Sequence, residues 1–222
     1  MGHKVHPVGF RVGITRSWGS EWFAINDGQA KSFFLLDIQL RKYIEEYYGK
    51  AGLAKVVVRQ TKSDIEVILF TSKIAAITGK DNITINKLHE NIRKKFGVSV
   101  VLTPKLLKTP ELSAKIMAEF MVSQIENRSP FRKVAKNTIQ KIMEKKPLGV
   151  KIKVSGRLGG VDIARSETYS EGRIPLQTLR VDVDYCETVA MTKYGIIGIK
   201  VWIAKSELFA KTKQLSKKEV IL

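Results

Sequence analysis

The run IEVILFTSKIAAITGKDNITINKLHENIRKKFGVSVVL, residues 65–102, changes its hydrophobic period several times. Ile65–Phe70 is β-branched and aromatic, the composition of a strand. A short helical stretch follows to Thr78, and Gly79-Lys80-Asp81-Asn82 forms a turn. Helical spacing then predicts a helix from about Ile83 to Phe96, closed by Gly97, and Val98–Leu102 is again a strand. Two helices joined by a four-residue turn therefore lie between two strands.

Toward the N-terminus, Lys55–Arg59 is a second β-rich run, joined to Ile65–Phe70 by a polar turn at Lys62–Asp64. Before it, Phe33, Leu36, Leu40, Tyr43, Ile44 and Tyr47 recur at helical spacing, predicting a helix over Ser32–Tyr48 that ends at Gly49 and Gly52. Residues 1–30 have no clear period and read as a basic, aromatic arm. The order helix, strand, strand, helix, turn, helix, strand makes a compact unit ending near Leu106.

Toward the C-terminus, Thr109-Pro110-Glu111 carries a capping Thr, a Pro suited to the first helical position and an early Glu. A domain boundary and a helix start are predicted there. Two helices follow, about 111–126 and 131–146, broken at Arg128-Ser129-Pro130. The remainder is β-rich, with strands at Val150–Val154, Thr178–Tyr185 and Tyr194–Ile203 and loops full of Gly and Arg. The expected organisation is an arm at 1–30, a first domain at 31–108, an α+β domain at 109–210 and a frayed tail from Lys211 to Leu222.

With 222 residues and 44% hydrophobic composition, the chain can build a real core. Thirty-nine Lys and Arg against 21 Asp and Glu give a net charge of +18, a surplus that favours polyanions and releases counterions on phosphate contact. Nucleic acid is the expected partner. No window approaches the roughly 20 apolar residues that span a bilayer, so no membrane partner is expected. MGHKVHPVGF does not read as a secretory leader, and His6 stands where a myristoylation signal needs Ser or Thr. The single cysteine, Cys186, excludes an internal disulfide and points to a reducing compartment.

The charge is concentrated. Residues 128–157 hold ten Lys or Arg and one acid, Glu144. On the helix over 131–146, Phe131, Val134, Ala135, Thr138, Ile139 and Ile142 form one apolar stripe, and Arg132, Lys133 and Lys136 fall on the far side. Three cations so close repel each other unless an anion lies across them; a solvated face is the bland alternative. The second basic feature is Ser155-Gly156-Arg157-Leu158-Gly159-Gly160, followed by Arg165, Arg173 and Arg180. Glycines let a backbone approach a phosphodiester, and Arg presents a fork that suits phosphate. No nucleotide-cradling GxxxxGK[ST] occurs, so nucleotide chemistry lacks its usual apparatus.

Other residues support weaker readings. Asp182 and Asp184 share a strand face, with Glu167 and Glu171 before them, and such carboxylates can hold Mg²⁺ in a nuclease. In so basic a chain, pairing with Arg165, Arg173 or Arg180 is preferred. His3 and His6 have no third ligand near in sequence, so neither a zinc site nor any other metal site is expected. Trp18, Trp22 and Phe23 can stack on bases or pack the arm onto the body.

The helix, strand, strand, helix, turn, helix, strand order resembles a type II KH domain, in which a GxxG turn clamps the nucleic-acid backbone. Here Gly79, Lys80, Asp81 and Asn82 form a degenerate version. Asn is the best non-glycine substitute for a left-handed residue, whereas Asp81 places an anion where phosphate lies. An unattached single-strand-binding KH protein would keep the second glycine. The likeness extends through MGHKVHPVGFRVGI at 1–14, WFA at 22–24, SGRLGGVDIAR at 155–165, EGRIPLQTLR at 171–180 and YGIIGIKVWI at 194–203. On these motifs the chain resembles the bacterial-type small-subunit ribosomal protein three family, KH-containing proteins of the subunit head.

The resemblance implies an N-terminal type II KH domain followed by a C-terminal α+β domain, two helices packed on a mainly antiparallel sheet. It implies a non-enzymatic ribosomal constituent without a cofactor, in the cytoplasm or in an organelle ribosome. The implied partners are small-subunit ribosomal RNA, mRNA and neighbouring small-subunit proteins: ten and fourteen in the head, four and five where mRNA enters. The candidates for ribosomal RNA contact are Lys4, His6, Arg11 and Arg16 of the arm, with Arg157, Gly159, Gly160, Arg165, Arg173 and Arg180. The family's mRNA-facing pattern, Arg-Arg and a Lys three residues on, falls on Arg132, Lys133 and Lys136, with Lys replacing the second Arg. Lys keeps the charge and loses the planar fork.

Overall fold

The computed structural model describes residues 4–49, 52–61, 64–79 and 82–208. Lys211–Leu222, expected to be a frayed tail, and Lys80 and Asp81 of the turn lie outside the described residues. The chain forms two compact units. One comprises Trp18–Pro110, and the other joins the residues before Trp18 to those from Glu111 onward. The segment read as a single basic arm is thus shared between them.

The first unit contains β1 (Ser20–Trp22), α1 (Asp27–Tyr48), β2 (Leu53–Gln60), β3 (Ile65–Thr71), α2 (Ile74–Thr78), α3 (Ile83–Phe96) and β4 (Val100–Leu106). The sheet order is β1-β2-β3-β4, with β1 parallel to β2, β2 antiparallel to β3 and β3 parallel to β4. Successive strand side chains alternate between faces, so Val56 and Val58 on β2 and Ile65, Val67 and Leu69 on β3 enter one core. Leu40 and Ile44 of α1, Ile77 of α2, and Leu88 and Ile92 of α3 meet them there. These are the expected type II KH elements, and β1 is an addition to them.

β1 escaped prediction because three residues have no period to read, and α1 starts five residues earlier than expected because its first turn carries no apolar stripe. Both are held by one polar knot. Arg41 donates to the carbonyls of Val56 and Gly19, each at 2.6 Å, and its Nε pairs with Asp37 one helical turn back at 3.1 Å. Ser20 Oγ donates to the same carboxylate at 2.6 Å.

The second unit contains α4 (Ala114–Glu126), α5 (Phe131–Met143), β5 (Gly149–Gly156), β6 (Arg165–Gly172), β7 (Val181–Thr192) and β8 (Gly195–Glu207). Its sheet runs β6-β5-β8-β7, antiparallel throughout. Met117, Met121 and Ile125 of α4 and Val134, Ile139 and Ile142 of α5 pack on Val150, Ile152 and Val154 of β5 and on Ile199, Val201 and Ile203 of β8. Burying each such side chain contributes about 1.5–3 kcal/mol. β6, expected to be loop, is a polar edge strand, RSETYSEG, with one hydrogen-bonded neighbour and mostly exposed residues. It carries neither the alternation nor the β-branched composition by which strands are recognised.

The predicted helix start at Thr109-Pro110-Glu111 is displaced. Pro110–Leu112 forms a 3-10 turn, and α4 begins at Ala114 after an extended Ser113 whose side chain makes no cap. The cap comes from the sheet instead: Asp184 of β7 accepts the Ala114 N–H at 3.1 Å. A carboxylate at a helix N-terminus also complements the positive end of the helix dipole. Among the described residues, no helix is long and apolar enough to cross a membrane.

Arg11, expected to face ribosomal RNA, is completely buried. Its guanidinium donates to the carbonyls of Val181 (2.7 Å), Pro7 (2.9 Å), Leu176 and Thr178 (3.0 Å each) and Pro175 (3.3 Å). Every nitrogen is used, which is what burial of a permanent charge requires. Arg11→Ala orphans these acceptors and should lower the unfolding free energy by about 3 kcal/mol or more. Arg11→Lys should recover only part of the loss, because an ammonium cannot reproduce the fork. Urea denaturation followed by circular dichroism measures both; a loss under about 0.5 kcal/mol for the Ala variant, the range of ordinary surface changes, contradicts this role.

Candidate nucleic-acid interface

α5 follows Arg128, a non-glycine residue with φ of +63°, and Pro130, whose fixed φ suits a helix start. Its buried residues are Val134, Ala135, Thr138, Ile139 and Ile142, and the Thr138 hydroxyl is satisfied by the Val134 carbonyl at 2.8 Å. That stripe fixes the rotation of the helix. Arg132, Lys133 and Lys136 consequently face outward, all exposed. The first turn contains no acid, so cations add to the positive helix end rather than offset it. That arrangement costs a few tenths to about 1 kcal/mol of helix stability and concentrates positive potential at one end.

β6 lies beside this helix. In its ladder with β5, Gly156 is opposite Arg165, Val154 opposite Glu167, Ile152 opposite Tyr169 and Val150 opposite Glu171. Directly opposed residues share a face, so Arg165, Glu167, Tyr169 and Glu171 stand on the helix-bearing side. Arg132 grips Glu167 with a fork, Nε to Oε2 at 3.2 Å and Nη2 to Oε1 at 3.0 Å. Arg165 approaches the same carboxylate at 3.3 Å, and the Tyr169 hydroxyl donates to it at 2.5 Å. The Arg132 and Tyr169 hydrogen bonds hold the Glu167 carboxyl down to about 2, far below the ordinary carboxylate range. Lys136 and Gln140 line an open trough against Tyr169 and Glu171. Of the second basic feature, Arg165 alone is brought to the α5 cations here, through the carboxylate of Glu167 that it shares with Arg132.

The Gly-rich loop lies at the end of β5, against Tyr194. Arg157 closes it, donating to the Val161 carbonyl at 2.9 Å and pairing with Asp162 at 2.8 Å. Leu158 is buried beneath, while a side chain added at Gly159 meets nothing within 4 Å. Gly160, with φ of +84°, lies so close to the Tyr194 ring that a Cβ would come within 3.0 Å of it. The Lys193 ammonium sits 4.7 Å from the same ring centre. Lys193, first through its hydrogen bond and then its charge, and Arg128 and Arg157 by charge alone, lower the Tyr194 phenol from its usual value. Sequence reading missed Tyr194; an aromatic flanked by Lys193 and Gly195 was the available signal.

The remaining candidates divide. Lys4 and His6 are exposed; the His6 ring meets Tyr185 edge-on at 4.9 Å. Arg173 is exposed, and Arg180 reaches Glu207 at 3.7 Å. Arg16 is not a surface cation, because it pairs with Asp182 at 2.8 Å and Asp184 at 3.2 Å. The two aspartates therefore form ion pairs, as preferred to a metal site, but their partner is Arg16 rather than Arg165, Arg173 or Arg180. Lys205 adds a further contact to Asp184 at 3.4 Å. Trp22 packs edge-on against Phe33 at 5.9 Å, whereas Trp18 and Phe23 are exposed. In the degenerate turn, Gly79 has φ of +71° and Asn82 is left-handed, φ +60° and ψ +15°, the conformation for which Asn substitutes for glycine. Among the described residues, no group of three or more His, Cys, Asp or Glu side chains gathers to hold a metal ion.

Residues 39–112 match the family model described as KH domain, and residues 121–203 match that of ribosomal protein S3, C-terminal domain. The chain is 42% identical to small ribosomal subunit protein uS3 of Syntrophomonas wolfei over 217 residues, 98% of this chain and 95% of the relative. It is 41% identical to the protein of the same name from Caldicellulosiruptor bescii, covering 98% of both chains. The uS3 of Caldanaerobacter subterraneus is 41% identical, with 96% of each chain covered.

The Asp184 contacts generate a pH dependence. Burial alone raises its pKa, but Lys205, Arg16 and the Ala114 N–H together bring it below the ordinary aspartate value. A depressed folded-state pKa contributes stability that is complete above the unfolded value of about 3.9 and is lost as pH falls through the folded value. Wild-type protein should therefore lose urea resistance on acidification below about pH 4, and Asp184→Asn should be less stable at neutral pH with a flatter acid limb. Parallel acid limbs in the two proteins would assign the acid sensitivity elsewhere.

Proposed function

This chain belongs to the family of small ribosomal subunit protein uS3, a non-enzymatic family, and on that footing we propose that it is a structural constituent of the small subunit that binds ribosomal RNA in the head and lines the channel where mRNA enters. Its relatives above are bacterial, which supports a cytoplasmic ribosome as its location. The observation that carries the mRNA reading is the exposed set Arg132, Lys133 and Lys136 on the first turns of α5, opposite a stripe wholly committed to the core. These residues attract a phosphate backbone without reading sequence, as an mRNA channel requires.

Ribosomal RNA contact falls to Lys4, His6, Arg165, Arg173, Arg180 and the loop of Arg157, Gly159 and Gly160. Arg11 and Arg16 serve the fold instead. The open backbone at Gly159 supports close approach of a phosphodiester. The turn at Gly79–Asn82 is a weak clamp by this reading, since Asp81 opposes phosphate although Asn82 has the required backbone. Neighbouring small-subunit proteins ten, fourteen, four and five complete the set of proposed partners.

The fold does not need the three α5 cations, so Arg132→Ala, Lys133→Ala and Lys136→Ala together should shift stability little; exposed changes usually move it by less than about 0.5 kcal/mol each. Ribosomes carrying the triple variant should assemble and translate unstructured messages nearly normally, yet slow on a message with a stable downstream hairpin. The comparison is elongation rate on paired and unpaired templates, wild type against variant. Equal slowing on both templates would reassign the residues to assembly, and no slowing on either would leave them as a solvated face.

A further inference from the structure

Resting on the reading of Arg132 as a phosphate-contacting cation, the geometry points to Glu167 as an internal rival for that cation: a carboxylate that an arriving RNA phosphate displaces from Arg132 and that takes Arg132 back when the phosphate leaves. The asymmetry of exposure supports this. The Arg132 side chain is 62% exposed whereas Glu167 is 22% exposed, so the anion is set back on the strand and the cation can swing between it and solvent. Carboxylate and phosphate accept the same planar fork, so one replaces the other without a new geometry.

The cluster also keeps the exchange cheap. When Arg132 turns outward, Glu167 retains the Tyr169 hydroxyl at 2.5 Å and Arg165 at 3.3 Å. It is not left as an unpaired, partly buried charge, the situation that makes breaking an ion pair costly. Lys133 and Lys136 attract phosphate from the same helix face, but neither of them forms a described ion pair with Glu167. The device therefore acts on the one member of the trio that carries a fork. It sets a modest hold with fast release, which suits a strand that must keep moving. Glu167 is a positioning residue: it acts on RNA only through Arg132.

The test uses the full chain with a uridine oligonucleotide, titrated by fluorescence at three salt concentrations in wild type, Glu167→Gln, Arg132→Ala and the double variant. Glu144→Gln, the same charge change at an exposed site near the end of α5, controls for general electrostatics. The Arg132 Nε–H resonance in nitrogen-labelled protein supplies a local readout. Glu167→Gln should tighten binding about two- to fivefold, the range an exposed ion pair can set. It should also steepen the salt slope by up to about 0.7, one further cation engaged with single-stranded RNA. The gain should vanish in the Arg132→Ala background and exceed that of Glu144→Gln.

If the Arg132 resonance shifts with oligonucleotide while Glu167→Gln binds like wild type, or no more tightly than Glu144→Gln, the exchange is wrong and the interface stands. If the resonance does not shift and Arg132→Ala binds like wild type, the interface reading itself fails. Circular dichroism on each variant separates these outcomes from loss of fold, and Glu167→Asp, which keeps the charge, should restore wild-type affinity.

Discussion

A permanent charge can leave water only where every donor finds an acceptor, and Arg11 meets that condition with five carbonyl oxygens. Four of the five come from Pro175, Leu176, Thr178 and Val181, the approach to β7. The loop can offer them together in few conformations, so the guanidinium selects one. Val181 then begins β7 in fixed register, and Asp182 and Asp184 follow where Arg16 can reach both. Asp184 in turn caps α4, whose helix packs beneath the sheet. A cation near the start of the chain thus orients the strand and helix on which the second unit is organised.

The protein uses its cations in two ways that composition alone does not distinguish. Arg11, Arg16 and Arg41 turn inward and hold chain segments distant in sequence, their charge met by carbonyls or aspartates. Arg132, Lys133 and Lys136 turn outward, where charge repulsion is tolerated because solvent screens it. The net +18 accordingly overstates the number of cations left at the surface, because some of them are held inside the fold. The outward group is not unopposed either, since Glu167 takes the fork of Arg132. On the proposed mRNA reading such partial neutralisation is useful, because cations that hold phosphate too firmly also hold the strand.

Much of this was legible in the residues. The stripe on α5 was read correctly because helical period and burial agree, and rotation follows from the stripe without any tertiary information. The core strands β2, β3, β5 and β8 were read for the same reason: their alternation or continuous apolar character reports burial directly. β6 was invisible because an edge strand with exposed faces carries no burial signal, and its ladder with β5 is a property of the partner's backbone. The start of α4 was misplaced because local capping signals at Thr109-Pro110 compete with a carboxylate some seventy residues later.

By itself, then, the sequence determined the class of each buried element, the surplus of cations that favours a polyanionic partner and the face of α5 that stays exposed, since period, composition and net charge are properties of the chain. Only the tertiary structure decided which cations remain exposed. Whether an Arg faces water or a carbonyl depends on which distant residues the fold brings within about 3 Å, and a hydrogen bond weakens steeply beyond that reach. Arg11 and Arg132 are the same residue type, and the sequence reading assigned both to RNA. The stripe on α5 turns Arg132 outward but does not report the carboxylate on the polar edge strand beneath it, and no local pattern announces the enclosure of Arg11 by the approach to β7.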